Sequence, residues 1–190
     1  MDFVPRGLRS LRPKEPSKES SPQDPLKAEN PFVPRATDVI HVSAEFAEAT
    51  LSPDLKHTLH RPLQAAHAAA AVGATIWGVN KLVHGETWLD RVEAATSLSL
   101  AGESALAASA ASLPGVGLAL GLIHGTGEVI VGAADLRRGL QENSTRRVLA
   151  GGCQILTGAG ALTTRLVPGG AVAGYSLMMI GMMGRQAAIG

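Results

Sequence analysis

From Val148 to Gly184 the chain runs for 37 residues with a single formal charge, Arg165. That stretch limits what the chain can fold into more than any other. Ala, Leu and Gly dominate it and strand-type alternation is absent, so apolar helices are expected and strands are not. Pro168 breaks the stretch just after Arg165, which gives a hydrophobic helical hairpin with one arginine near its tip. Met178, Met179, Met182 and Met183 give the second arm an adaptable apolar surface.

An earlier segment has the same character. Leu113 to Ala134 supplies 22 residues with Glu128 as the sole formal charge, the length of about 20 apolar residues that a bilayer span requires. Glycine inside a helix costs roughly 1 kcal/mol against alanine. Gly117, Gly121 and Gly125, four apart, therefore predict a face on which a second helix packs closely. "GVGLALG" is not a dinucleotide loop, because no strand precedes it and its glycine spacing is wrong. His124 and Glu128 stand at i and i+4 and are expected to pair, at a soluble helix surface or interface or, in a membrane, as a buried proton or ion site.

The glycines also report a duplication. Gly73, Gly127 and Gly181 are spaced by 54 residues twice over, and Gly78 matches Gly132 at the same separation. Arg91-Val92 matches Arg147-Val148 at 56, and Pro114-Gly115 matches Pro168-Gly169 at 54. The sequence thus predicts an all-α fold of duplicated glycine- and alanine-rich helical hairpins, with units of about 62–114 and 115–168 and a half unit 169–190. Five main helices are expected: 62–83, 87–112, 114–139, 144–167 and 169–189. Thr87 opens the second with Asp90 three residues later, a capping box with Asp in place of Glu. A linker region, 37–61, precedes them, with a short helix to Leu51 and another short piece opened by Ser52-Pro53.

Residues 1–36 carry seven of the eleven prolines, filled in by serine and charge, and read as a disordered tail. Phe3-Val4-Pro5-Arg6 recurs as Phe32-Val33-Pro34-Arg35, a candidate docking motif for a protein partner. The tail has no apolar core of the kind a secretory signal carries.

Composition removes several functions. A net charge of +1 and 3% aromatics argue against nucleic-acid binding. Cys153 is the one cysteine, so no intrachain disulfide forms, and its apolar setting reads as structural. Asp54, His57 and His60, with His67 a turn or two later, spread around one helix rather than converge, which reads as a surface cluster and not a metal site. No catalytic constellation, metal motif or cofactor motif emerges, and an enzyme is not expected.

The expected function is that of a membrane-associated helical protein. It inserts into or scaffolds a bilayer through its apolar hairpins, as an effector or permeabilising agent, and self-association is open to it. In physical pattern, though in no motif, the hairpin resembles the buried hydrophobic hairpin of colicin-type pore formers, which implies insertion on a trigger. One test opposes five simple spans. Alternation would place the loop "LRRGLQENSTRR", with four arginines, opposite Lys56, Arg61 and the basic tail, against the positive-inside rule. The alternative is a soluble, cytoplasmic α-helical repeat module that binds a protein through the tail or the last half-repeat.

Overall fold

The computed structural model describes residues 32–189, with side-chain surroundings from Ala36 onward. Six α-helices and no strand occur among them. They are α1 Phe32–Thr50, α2 Pro53–His84, α3 Trp88–Ala108, α4 Pro114–Gln141, α5 Thr145–Leu166 and α6 Ala171–Ile189. The first Phe-Val-Pro-Arg copy and nearly all of the expected tail lie outside the described residues. The second copy, Phe32–Arg35, is the first turn of α1.

Two expectations about the first third change. The segment 37–51 is not a short linker helix, because α1 starts at Phe32 and runs 19 residues. Ser52 and Pro53 do cap and start a helix, yet that helix passes straight through Pro62 for 32 residues. A proline there removes the bond to the Thr58 carbonyl. Residues 53–62 are all exposed, so water replaces that bond at little cost.

The later helices end where local chemistry stops them. Thr87 accepts from the Asp90 N–H, and the Asp90 carboxylate accepts from the Thr87 N–H at 2.9 Å, which completes the capping box. Ala110 and Asn143, both at φ 52, end the turns after α3 and α4 in the left-handed region, and Ser144 caps α5 through the Arg147 N–H.

Short loops make consecutive helices antiparallel neighbours. On α4, Gly125, Gly132 and Gly139 face the Gly158 carbonyl, the Gly151 carbonyl and the Val148 N–H of α5 in descending order. On the other side of α5, Gly160 lies against Gly174 and Met178 of α6. α1 closes the series. Its Thr37 lies against Gly73 of α2, and its Val42 clusters with Ala161 of α5 and Tyr175 and Met178 of α6.

The interior is short of large apolar side chains. Among the described residues, seven of the twelve buried hydrophobic ones are alanines, leaving Val42, Leu100, Val131, Tyr175 and Met178. In the same set thirteen buried residues are polar or charged, and 22 large hydrophobic residues are exposed, among them Ile76, Val83, Ile123, Leu149, Ile180 and Met183. Large aliphatic residues are the ones most often buried in folded proteins, so alanine and polar groups fill an unusual share of this interior.

Two predictions follow from the packing. A Cβ at Gly132 would stand 2.7 Å from the Ile155 nitrogen and 2.8 Å from the Gly151 oxygen, whereas one at Gly152 meets nothing within 4 Å. Gly132→Ala should destabilise by about 1–3 kcal/mol through forced helix separation. Gly152→Ala should stabilise by up to about 1 kcal/mol through helix propensity. Thermal unfolding followed by circular dichroism in one common solvent measures both. The second concerns pH. The Thr87 hydroxyl, then the Thr87 N–H and Lys81, hold the Asp90 carboxyl below its ordinary value. A depressed carboxylate contributes stability above its unfolded pKa and loses it as pH falls through the folded one. Asp90→Asn should therefore cost about 1 kcal/mol at pH 7, and the two melting curves should converge as pH falls below the ordinary carboxylate range.

Candidate functional site

Several buried charged and polar groups meet along the inner faces of the helices. Glu103 is the only charged residue of α3 after Glu93, and it is 6% exposed. α4 brings His124 to it, with Nδ1 3.2 Å from Glu103 Oε2. α5 brings Arg165, whose Nη2 donates to Glu103 Oε1. Three consecutive helices are thus joined at one carboxylate. α1 and α6 add a second contact, in which the Tyr175 hydroxyl donates to Glu45 Oε2 at 2.7 Å. α1 and α3 meet where Ser104 Oγ lies 2.9 Å from His41 Nδ1.

A cleft of 800 Å³ opens on this set at the end where α1 stops and α2 starts. Glu45, Glu48, Lys56, His60, Glu103 and Arg165 supply its charged and imidazole lining. At the opposite end Lys81, 6% exposed, pairs with Asp90 at 3.2 Å and Glu93 at 3.0 Å and lies 5.4 Å from the Trp77 ring centroid. Buried Arg147 pairs with Glu142 at 2.7 Å.

The residues singled out in the sequence fall into three groups. Gly78, Gly125, Gly127, Gly132 and Gly181 each face a neighbouring helix, and Gly73 faces α1. Gly117 does not, because a Cβ there meets nothing within 4 Å, and Gly121 faces the Arg165 and Glu103 side chains rather than a helix backbone. The four-residue glycine series is therefore not one seam, since three positions at that spacing drift around a helix. His124 is buried as expected, but its hydrogen bond goes to Glu103, and Glu128 is half-buried one turn further along. Cys153 is half-buried against α6 beside Gly181 and Gly184.

Sequence reasoning missed Glu103, Arg165, His41, Glu45 and His67 as one assembly. A signal existed for part of it. His41 and Glu45 stand at i and i+4, and Glu103 and Arg165 are isolated opposite charges in apolar stretches. A buried charge without a counter-charge is rarely tolerated, so isolated charges in apolar helices ought to be read as partners.

No protein family, curated protein or solved structure matches the chain. The functional reading rests on this geometry.

Glu103 holds the set together, and its removal takes from Arg165 and His124 the carboxylate that both engage. Glu103→Ala should destabilise by about 3–5 kcal/mol, the cost of breaking one side of a buried ion pair. The exposed Glu86→Ala should change stability by less than about 0.5 kcal/mol. Chemical unfolding of both variants beside the parent chain checks the contrast.

Proposed function

We propose that this chain is an integral membrane protein: a bundle of duplicated, glycine-rich helical hairpins with an apolar exterior and a polar interior that opens at one end. The carrying observation is the inverted distribution of side chains. In the segments 62–80, 94–108, 113–134, 148–164 and 171–184, no exposed residue bears a formal charge. The charged residues within them, Glu103 and Glu128, are buried or half-buried. Ionisable groups at bilayer depth face the bundle interior for the same reason: lipid cannot solvate them.

Length supports the same reading within limits. α4 is the one described helix long and apolar enough by itself to cross a membrane. The shortest of the charge-free segments, 14 residues, extends about 21 Å at 1.5 Å per residue, below the roughly 30 Å of a hydrocarbon core. Arginine and lysine stems at the helix ends bridge that difference by reaching toward the interface.

The full length of α1 removes the charge conflict. With α1 crossing as well, the bundle starts at the end that also holds Lys81, Arg91, Arg137, Arg138, Arg146, Arg147 and Arg185. Lys56, Arg61 and Arg165 are at the other. The positive-inside rule then puts the arginine-rich end in the cytoplasm. The duplication gains support from equivalent contacts. Gly73, Gly127 and Gly181 each face a threonine of the preceding helix, Thr37, Thr96 and Thr157.

The interior, rather than the tail, is the working part on this reading. Its cleft offers polar and charged groups to a hydrophilic species, and its packing serves scaffolding or permeation rather than catalysis.

Fractionation tests the proposal. The expressed chain should stay in carbonate-washed membranes. In a Cys153→Ala background, Asn143→Cys should react with an impermeant maleimide only after permeabilisation, and Ala110→Cys should react from outside. A detergent-free monodisperse monomer that ignores liposomes would sink the membrane reading. The apolar belt would then be the docking face of a soluble module.

A further inference from the structure

We propose that His41, Glu45 and His67 form a binding site for one first-row divalent transition-metal ion of the zinc class. One ligand atom from each of the three lies within 4.8 Å of the others, two supplied by α1 and one by α2. His41 and Glu45 are one helical turn apart, so a single face of α1 presents both.

Three features separate this cluster from a chance grouping. The first is an unsatisfied imidazole. His67 is 0% exposed, and neither of its ring nitrogens has a hydrogen-bond partner. Glu48 Oε1 lies 3.3 Å from His67 Nε2, in ion-pair range but outside hydrogen-bond geometry. A buried polar group left unmatched in this way costs free energy that a metal bond would return.

The second is that both α1 ligands are held from behind. Ser104, 0% exposed, engages His41 Nδ1 at 2.9 Å and leaves Nε2 for an ion. Tyr175 engages Glu45 Oε2 at 2.7 Å and leaves Oε1. Ligand imidazoles and carboxylates are characteristically oriented by such outer hydrogen bonds.

The third is access. Glu45 and Glu48 line the 800 Å³ cleft, together with Lys56, His60 and Arg165, so the cleft gives an ion a route to the cluster from the end of the bundle. Glu48, beside His67, is placed to become a fourth ligand.

The donor set selects the ion. Two imidazoles with one or two carboxylates suit zinc, iron(II) or manganese(II). All-oxygen calcium and magnesium sites do not use imidazole, and no thiolate is present to favour copper(I). Zinc–nitrogen bonds of about 2.0–2.1 Å imply ligand separations of roughly 3.4 Å in a tetrahedral site. Closure from 4.8 Å therefore needs side-chain shifts of about an ångström, within reach of three rotatable side chains on two helices.

The inference does not depend on what surrounds the helices. The full-length chain, purified in whatever solvent extracts it and stripped with chelator, is titrated with Co²⁺ and with Zn²⁺. The expected result is one equivalent bound, visible cobalt absorption that zinc abolishes, and a raised melting temperature. His67→Asn and Glu45→Gln should each weaken binding at least tenfold while retaining the helical circular dichroism of the stripped parent. His57→Asn with His60→Asn should leave it unchanged. Saturation absent up to millimolar metal overturns the proposal. So does binding that survives both cluster variants, or that is lost with His57 and His60. If His67→Asn does not fold, Glu45→Gln and Glu48→Gln carry the same comparison from the cleft side.

Discussion

A carboxylate withdrawn from water must find positive charge or hydrogen-bond donors, and Glu103 finds both from two other helices. His124 and Arg165 reach it from α4 and α5, 21 and 62 residues away in sequence. The three-way contact fixes the rotation of α3, α4 and α5 about their axes. Turning any one of them outward would leave a charge without its partner at a cost of several kcal/mol. Large apolar side chains are scarce inside, so core shape contributes little to that choice. The polar set supplies the specificity that packed leucines supply in an ordinary helical bundle.

Small residues let these polar groups meet. Arg165 reaches Glu103 across the α4 surface at Gly121, where a Cβ would stand 2.9 Å from the carboxylate oxygen. Further along, Gly125, Gly132 and Gly139 recur every seven residues on α4, and Gly151 and Gly158 answer at the same interval on α5. A seven-residue spacing keeps a contact on one face of two helices crossing at a shallow left-handed angle. A four-residue spacing moves around the helix, which is why Gly117 is left facing open space. The close seam draws the helix axes together, and the short polar bridges then span the remaining distance.

Much of this was legible in order along the chain. The all-helical class followed from composition and period, and the boundaries of α3 to α6 from Thr87, Pro114, Ser144 and Pro168, because caps and prolines act within a turn. α1 was legible only in part. Its opening Phe-Val-Pro-Arg looks like more tail, and the helix takes its place from contacts with Gly73, Ala161 and Tyr175 far along the chain. The burial of His124 could be anticipated from its apolar neighbours, but its partner could not. An i,i+4 acid was available in sequence, and the rotation of α4 favoured one on α3 instead. The His41, Glu45 and His67 grouping was hidden by the same limit, since α2 delivers its member from 22 residues beyond Glu45.

The length of α1 carries a consequence beyond its own contacts. In a series of antiparallel helices, each added crossing moves everything before it to the opposite end. Read as a short linker helix, 37–51 leaves the bundle starting with α2, at the end opposite Arg137, Arg138, Arg146 and Arg147. Read as a 19-residue helix against α2 and α6, α1 starts at the same end as those arginines. On the proposed membrane reading, one helix thus moves the start of the bundle to its arginine-rich end, with no change in α2 to α6. The same helix contributes His41, Glu45 and Glu48 to the interior and the cleft.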